Sequence, residues 1–187
     1  MKKLGRIICI ILICIIGMAA IIKVFKVDRM ILKGIYPKRY EDYVEKYSKE
    51  YNVDPLIVFS IIKAESNFKK DAKSSSGAKG LMQLMDATAE EMANKIDTSI
   101  AEESLFEPEK NVMIGIRYYS ELLKIYDGNM LLALTAYNAG IGNVNSWIAQ
   151  GIIKKDGSDV ENIPYKETNM YVRKIVNNYK MYQKIYN

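Results

Sequence analysis

The chain has 187 residues, 49% of them apolar and none of them histidine, which suits one domain plus a short extra segment and excludes disorder. Lack of histidine excludes Ser-His-Asp and Cys-His triads and H-E-x-x-H zinc sites, and no D-x-D-x-D-G loop offers a seat to a hard cation, so neither metal nor cofactor is expected. The net charge of +5 sits in residues 1–26, where Lys2, Lys3, Arg6, Lys23 and Lys26 meet no acidic residue; the remaining 22 basic and 22 acidic side chains cancel and leave no electrostatic footprint for nucleic acid.

Ile7 to Ile22 are sixteen uncharged, mostly aliphatic residues behind a basic start. Gly17-Met18-Ala19-Ala20 is a poor A-x-A cleavage site with further apolar residues behind it. Residues 1–26 therefore read as an uncleaved signal-anchor with the N-terminus inside, in preference to a cleaved signal peptide. The run is short for a bilayer, but Val24, Phe25 and a snorkelling Lys23 extend it. Lys23, Lys26, Arg29 and Lys33 on the far side blunt the positive-inside bias. This reading makes the protein single-pass in the cell membrane with its domain outside the cytoplasm, or secreted if the segment is removed. Both cysteines, Cys9 and Cys14, lie in this run, so no disulfide supports the exterior part. About 150 residues suffice for a core without one.

Residues 27–39 read as a connector, with a domain at 40–187. Its periodicity is helical almost throughout. Tyr40, Tyr43, Val44, Tyr47 and Tyr51 line one face. Asp54 is a good N-cap and Pro55 a good first residue for the next helix. Lys73 to Gly80 is a loop, Leu81 to Ile96 a helix, and Pro108 starts another that closes at Asp127-Gly128. Met130 to Tyr137 is apolar on nearly all sides and predicts a central helix, broken at Asn138-Ala139-Gly140. A short helix follows over Val144 to Ala149, then a mobile loop from Gly151 to Pro164. Lys166 to Tyr186 is the last helix. No convincing strand pattern exists, so the class is all-α with about seven helices.

Glu65 ends the run from Pro55 on the same helical face as Ile57 and Ile61. Desolvation against apolar side chains favours its protonated form, which is what a general acid requires at neutral pH. Two further segments combine polar residues with constraint. Gly77 to Met85 holds glycines that permit close backbone approach, together with Gln83; Ala136 to Gly140 holds Tyr137 and Asn138. Neutral amides suit the acetamido and hydroxyl groups of a sugar, and a tyrosine offers both a ring face and a hydroxyl. The scattered lysines read as a solvated face, and Tyr179 and Tyr182 as core.

These pieces, in this order, resemble the soluble lytic transglycosylase family, lysozyme-like enzymes that cleave bacterial peptidoglycan strands. Glu65-Ser66 matches the family's E-S. Ser74 through Gln83 matches S-x-x-G-A-x-G-L-M-Q, and Ala136–Gly140 matches A-Y-N-A-G. Ile163-Pro164, Glu167-Thr168 and Tyr171-Val172 resemble the closing I-P…E-T…Y-V signature, and Asn111 with Gly115 resembles P-x-x-N-x-x-x-G. The resemblance runs from Tyr40 to Ile185. Asp86 stands where the family usually has proline, and Thr135 where alanine is frequent; both read as changes of helix packing.

The resemblance implies a lysozyme-like fold and one catalytic glutamate, Glu65, acting as acid and then base on the MurNAc-β-1,4-GlcNAc bond to leave a 1,6-anhydro end. It places Ser74, Gln83, Met85, Tyr137, Asn138 and Tyr171 along a saccharide groove, with Tyr137 or Tyr171 orienting Glu65. Peptidoglycan glycan strands are the expected partner, beside the membrane. A hydrolytic muramidase and a non-catalytic wall-binding scaffold remain the alternatives.

Overall fold

The computed structural model describes residues 2–95 and 102–187, in two compact units, Met1–Pro37 and Lys38–Asn187. The first carries one helix, α1 (Lys2–Ile35). It runs through most of the stretch read as a connector and stops short of Pro37, whose ring disfavours the α conformation at Tyr36. Ile10, Ile11, Ile13, Ile16, Met18 and Ile21 are all exposed along it. Among the described residues no helix is long and apolar enough to cross a membrane.

The second unit contains α2 (Glu41–Tyr51), α3 (Pro55–Glu65), α4 (Asp86–Asn94), α5 (Pro108–Ile125), α6 (Met130–Ala139), α7 (Ile141–Ala149) and α8 (Lys166–Tyr186). Single 3-10 turns lie at Glu102–Phe106 and Val160–Asn162. Among the described residues there is no strand beyond isolated bridges pairing Lys79 with Lys73 and with Leu84, in agreement with the all-α expectation.

α3 begins as its sequence dictates: the Asp54 carboxylate accepts the Leu56 amide at 2.8 Å and Pro55 occupies the first turn, where its missing N–H costs nothing. Every residue from Leu56 to Ile62 is buried. α8 lies antiparallel along it, shown by paired contacts. The Tyr182 ring stacks on Phe59 at 5.8 Å, Asn178 donates to the Ser60 carbonyl, and Tyr171 reaches Glu65. Tyr182 is core, as expected. Tyr179 is not: it is half-buried and its hydroxyl donates to the Asp54 carboxylate.

Two boundaries move, each for a backbone reason, and one loop differs in character. The helix expected from Leu81 begins only at Asp86, because Gly80 (φ +77°) and Gln83 (φ +48°) are left-handed and no α-helix passes through such residues. Its expected end at Ile96 lies outside the described residues. α6 carries on through Asn138 and Ala139 and breaks at Gly140, where φ is +85°. The loop after α7, expected to be mobile, is tied down. Asp159 is buried and accepts the Lys154 amide at 2.8 Å, while Asn129 donates to the Asp156 carbonyl at 2.6 Å.

Candidate active site

Glu65 is the last residue of α3, so apolar packing along that helix delivers it to the edge of the core. The residue is half-buried, yet its carboxyl is desolvated enough to raise its pKa from 4.5 to about 7. Burial is the main cause, opposed by the Tyr171 hydrogen bond and then by the charge of Lys174. Tyr171 donates its hydroxyl to Glu65 Oε1 at 2.7 Å. The pKa of Tyr171 itself is pushed well above the usual phenol value, by burial first and then by Glu65, so it remains a donor at neutral pH. Of the two tyrosines considered for orienting Glu65, Tyr171 is the one hydrogen-bonded to it.

The other tyrosine holds the neighbouring segment. Tyr137 donates to the Met82 carbonyl at 2.9 Å, its ring lying 5.2 Å from that of Tyr118. Ser66, next to the acid, donates to the Leu81 carbonyl at 2.8 Å. Asn138 Oδ1 accepts the Thr168 hydroxyl at 2.7 Å, and Thr168 stands one turn before Tyr171 on α8. The hydrogen bonds therefore form a closed circuit: α3 to the Gly80–Met85 turn through Ser66, that turn to α6 through Tyr137, α6 to α8 through Asn138, and α8 back to α3 through Tyr171. Sequence motifs far apart in the chain meet because each supplies one link. Asn138 is exposed, with its carbonyl oxygen engaged by Thr168.

The Gly80–Met85 turn is held from beneath by Asn111, which is completely buried. Its Oδ1 accepts the Met82 amide at 2.8 Å, and its Nδ2 donates to the carbonyls of Lys79 at 3.0 Å and Leu105 at 2.8 Å. Gly80 is required here, since a Cβ would meet Asn111 Nδ2 at 2.2 Å. Gly115, one turn along α5 from Asn111, leaves room for Met82, whose Sδ would lie 2.4 Å from a Cβ. The P-x-x-N-x-x-x-G resemblance is thus a cradle for the turn.

Not every expected binding group is presented outward. Gln83 Nε2 donates to the carbonyls of Ala72 at 3.1 Å and Gly80 at 3.0 Å, so only its carbonyl oxygen is left for a ligand. Ser74 accepts the Ala78 amide at 3.0 Å and closes its own loop. Met85 is 45% exposed at the start of α4. Lys79, counted with the solvated lysines, is instead 2% exposed. Its ammonium contacts both Asp86 carboxylate oxygens, at 2.6 and 2.7 Å. Asp86 is therefore the exposed partner of the buried Lys79 in an ion pair, and not a packing change. Thr135 does behave as a helix residue, donating to the Leu131 carbonyl at 2.7 Å. Thr168 and Lys174 received no role from the sequence; the E-T motif was the available signal for Thr168. A separate cavity of about 270 Å³ at Tyr126, Leu132, Asn145 and Ile148 contains none of these residues.

Fold and site together define a helical, lysozyme-like domain built around one desolvated glutamate. The Transglycosylase SLT domain matches residues 42–159, and the chain belongs to that family; the closing signature from Ile163 lies beyond the matched span. The soluble lytic murein transglycosylase of Salmonella typhimurium is 32% identical over 148 residues, covering 78% of this chain and 23% of that protein. The membrane-bound lytic murein transglycosylase C of Edwardsiella ictaluri is 32% identical over 169 residues, covering 79% and 47%. The solved structure of an inactive glutamate-to-glutamine mutant of the lytic transglycosylase Slt from Pseudomonas aeruginosa matches with a TM-score of 0.73 and 30% identity, covering 82% of this chain and 25% of that one. This chain thus spans from about a quarter to about half the length of these relatives.

Proposed function

We propose that the protein is a peptidoglycan lytic transglycosylase in which Glu65 alone serves as acid and then base. The observation that carries this reading is the Glu65 carboxyl, with a pKa of about 7, held by Tyr171 where the family's motif segments meet. Protonated Glu65 donates its proton to the oxygen of the β-1,4 bond between MurNAc and GlcNAc, and the C1–O bond breaks. The substrate's own acetamido group helps to stabilise the positive charge at C1. The muramoyl C6 hydroxyl then attacks C1 and gives its proton to the Glu65 carboxylate, which restores the acid and closes a 1,6-anhydro ring. A pKa close to the working pH suits a group that must both give and take a proton. The field at Glu65 comes from Tyr171 and Lys174 and not from a partner carboxylate such as two-carboxylate glycosidases employ. The name of the Pseudomonas relative, inactive after a glutamate-to-glutamine change, is in keeping with a single essential acid.

In this reading the Asn138 amide nitrogen and the Gln83 carbonyl oxygen hydrogen-bond the sugars, while Met85 and the Tyr137 ring supply apolar contact. Ser74 shapes the loop beside them, and Tyr171 orients the acid. Residues 1–26 anchor the enzyme in the membrane with residues 40–187 outside the cytoplasm; the all-round apolar exposure of α1 and the membrane-bound relative favour this. The decisive experiment is mass spectrometry of muropeptides released from purified sacculi. Anhydro ends that vanish in Glu65→Gln support the assignment. Reducing ends would make the protein a muramidase, and cleavage that survives Glu65→Gln would remove Glu65 from the mechanism. No release at all by the unsubstituted protein would leave a wall-binding scaffold.

A further inference from the structure

α8 meets the end of α3 at two consecutive residues. Tyr171 donates to the Glu65 carboxylate at 2.7 Å. One turn further along, Lys174 Nζ donates to the Ala64 carbonyl, also at 2.7 Å. Ala64 belongs to the last turn of α3, where carbonyls lack partners within the helix, and a cation there is favoured by the helix dipole. The neighbouring Ile62 carbonyl is already taken by Ser66, so this contact completes the end of α3 from outside. It also fixes a side chain that, when exposed, samples many rotamers. The ammonium is held at the residue preceding the acid.

We propose that Lys174 is a positioning residue for the reaction, a fixed positive charge that sets the range over which Glu65 gives up and recovers its proton. The proposal rests on the functional reading above for its catalytic consequence, but not for its electrostatic one. The uncharged acid gains little from a nearby ammonium, whereas the carboxylate formed on proton transfer is stabilised by it. Tyr171 acts in the same sense from one turn earlier. Both oppose burial, which would otherwise hold the carboxyl protonated too tightly to act as an acid at neutral pH. The surrounding groups fit this assignment. Lys63, on α3 itself, has its pKa lowered by burial first and then by Lys174, which places it within the same field. From α6, Tyr137 lies close enough to feel the Glu65 charge, but its hydroxyl is engaged by Met82. From α2, also packed on α3, none of the described charges is among those acting on Glu65. Lys174, held at the Ala64 carbonyl, is therefore the cation whose charge acts on the acid.

Lys174→Gln separates charge from capping, because the amide still offers a donor to the Ala64 carbonyl. Lys174→Met removes both, and Lys174→Arg keeps both. The full chain, labelled with 13C at glutamate carboxyls, gives the Glu65 titration directly, its resonance assigned by loss in Glu65→Gln. We expect the midpoint to rise by about half a pH unit or more in Lys174→Gln and Lys174→Met and to stay in place in Lys174→Arg. The alkaline limb of the kcat/KM profile on sacculi should move by the same amount. An unchanged midpoint in Lys174→Gln and Lys174→Met, with only the unfolding temperature lowered, would overturn the proposal and leave Lys174 a helix cap. If the unsubstituted protein cleaves no glycan, the functional reading falls, while the titration still decides what Lys174 does to Glu65.

Discussion

Replacing Glu65 by glutamine should stabilise the protein at alkaline pH while abolishing its activity, and the two effects have one cause. The Glu65 pKa is raised from 4.5 to about 7 by burial, so between those values the folded chain binds more protons at this site than the unfolded chain does. Stability from this group is fully present below the unfolded value and is lost as pH rises through the folded one. At 1.36 kcal/mol per unit, the loss amounts to about 3 kcal/mol by pH 8. Glutamine has the same shape, carries no charge, and keeps an oxygen for the Tyr171 hydroxyl. Urea unfolding of both proteins at pH 5 and pH 8 measures the effect. The stability difference should shift toward the glutamine variant by about 2 kcal/mol between the two conditions. Equal pH dependence in the two proteins would mean that Glu65 is not desolvated, and the physical basis for its acid role would be gone.

Tyr171→Phe removes a hydrogen bond that lowers the Glu65 pKa, so the alkaline limb of kcat/KM should move to higher pH, with kcat reduced by about tenfold from lost orientation; pH-rate profiles on sacculi check both. Asn111→Ala leaves three buried backbone groups, of Lys79, Met82 and Leu105, without their partner and should cost about 3 kcal/mol or more in urea unfolding. Gly115→Ala forces Met82 to move, with an expected cost of about 1–3 kcal/mol and a raised KM. Thr168→Val releases the exposed Asn138 carbonyl oxygen to water, so stability should fall by no more than about 1 kcal/mol, while KM rises several-fold with kcat kept.

Helix identity and the desolvation of the Glu65 carboxyl were legible in the sequence because each rests on local rules. Asp54-Pro55 starts α3, apolar periodicity runs it to Glu65, and the carboxylate at the end of that stripe must be desolvated. What escaped was decided by side-chain direction on an irregular backbone. The sequence did not show that half of the Gln83 amide is spent on its own loop: its backbone is left-handed and Nε2 donates to the Ala72 and Gly80 carbonyls. Lys79 looked solvated because a lysine in a glycine-rich segment usually is; only the structure brings Asp86 round to it across a turn that periodicity had read as helix. The closing helix gave the same mixture. Tyr182 lies in the core as expected, whereas Tyr179, expected there too, is half-buried on the α3 N-cap and Tyr171 reaches Glu65.

The circuit of hydrogen bonds also explains why the motifs occur as pairs of adjacent residues. In Glu65-Ser66 the first residue does the proposed chemistry and the second fastens α3 to the Gly80–Met85 turn. In Tyr137-Asn138 the first fastens α6 to that turn, and the second, an exposed residue, is tied to α8. In the proposed reading each pair joins a group that meets substrate to one that fixes its backbone, so the acid and the Gly80–Met85 turn share one rigid helical frame. It follows that cutting a fastening link should damage catalysis more than folding. The links are spread over four elements, and the core of buried aliphatic residues remains when any one is lost. Ser66→Ala is the sharpest case. The Leu81 carbonyl loses its hydroxyl partner, a cost of about 1–3 kcal/mol, yet Glu65 and the turn bearing Met85 lose their common reference. Reduced kcat with a protein still folded at assay temperature is the expected outcome. Unchanged kcat in that variant would show that the acid is held by Tyr171 and Lys174 alone.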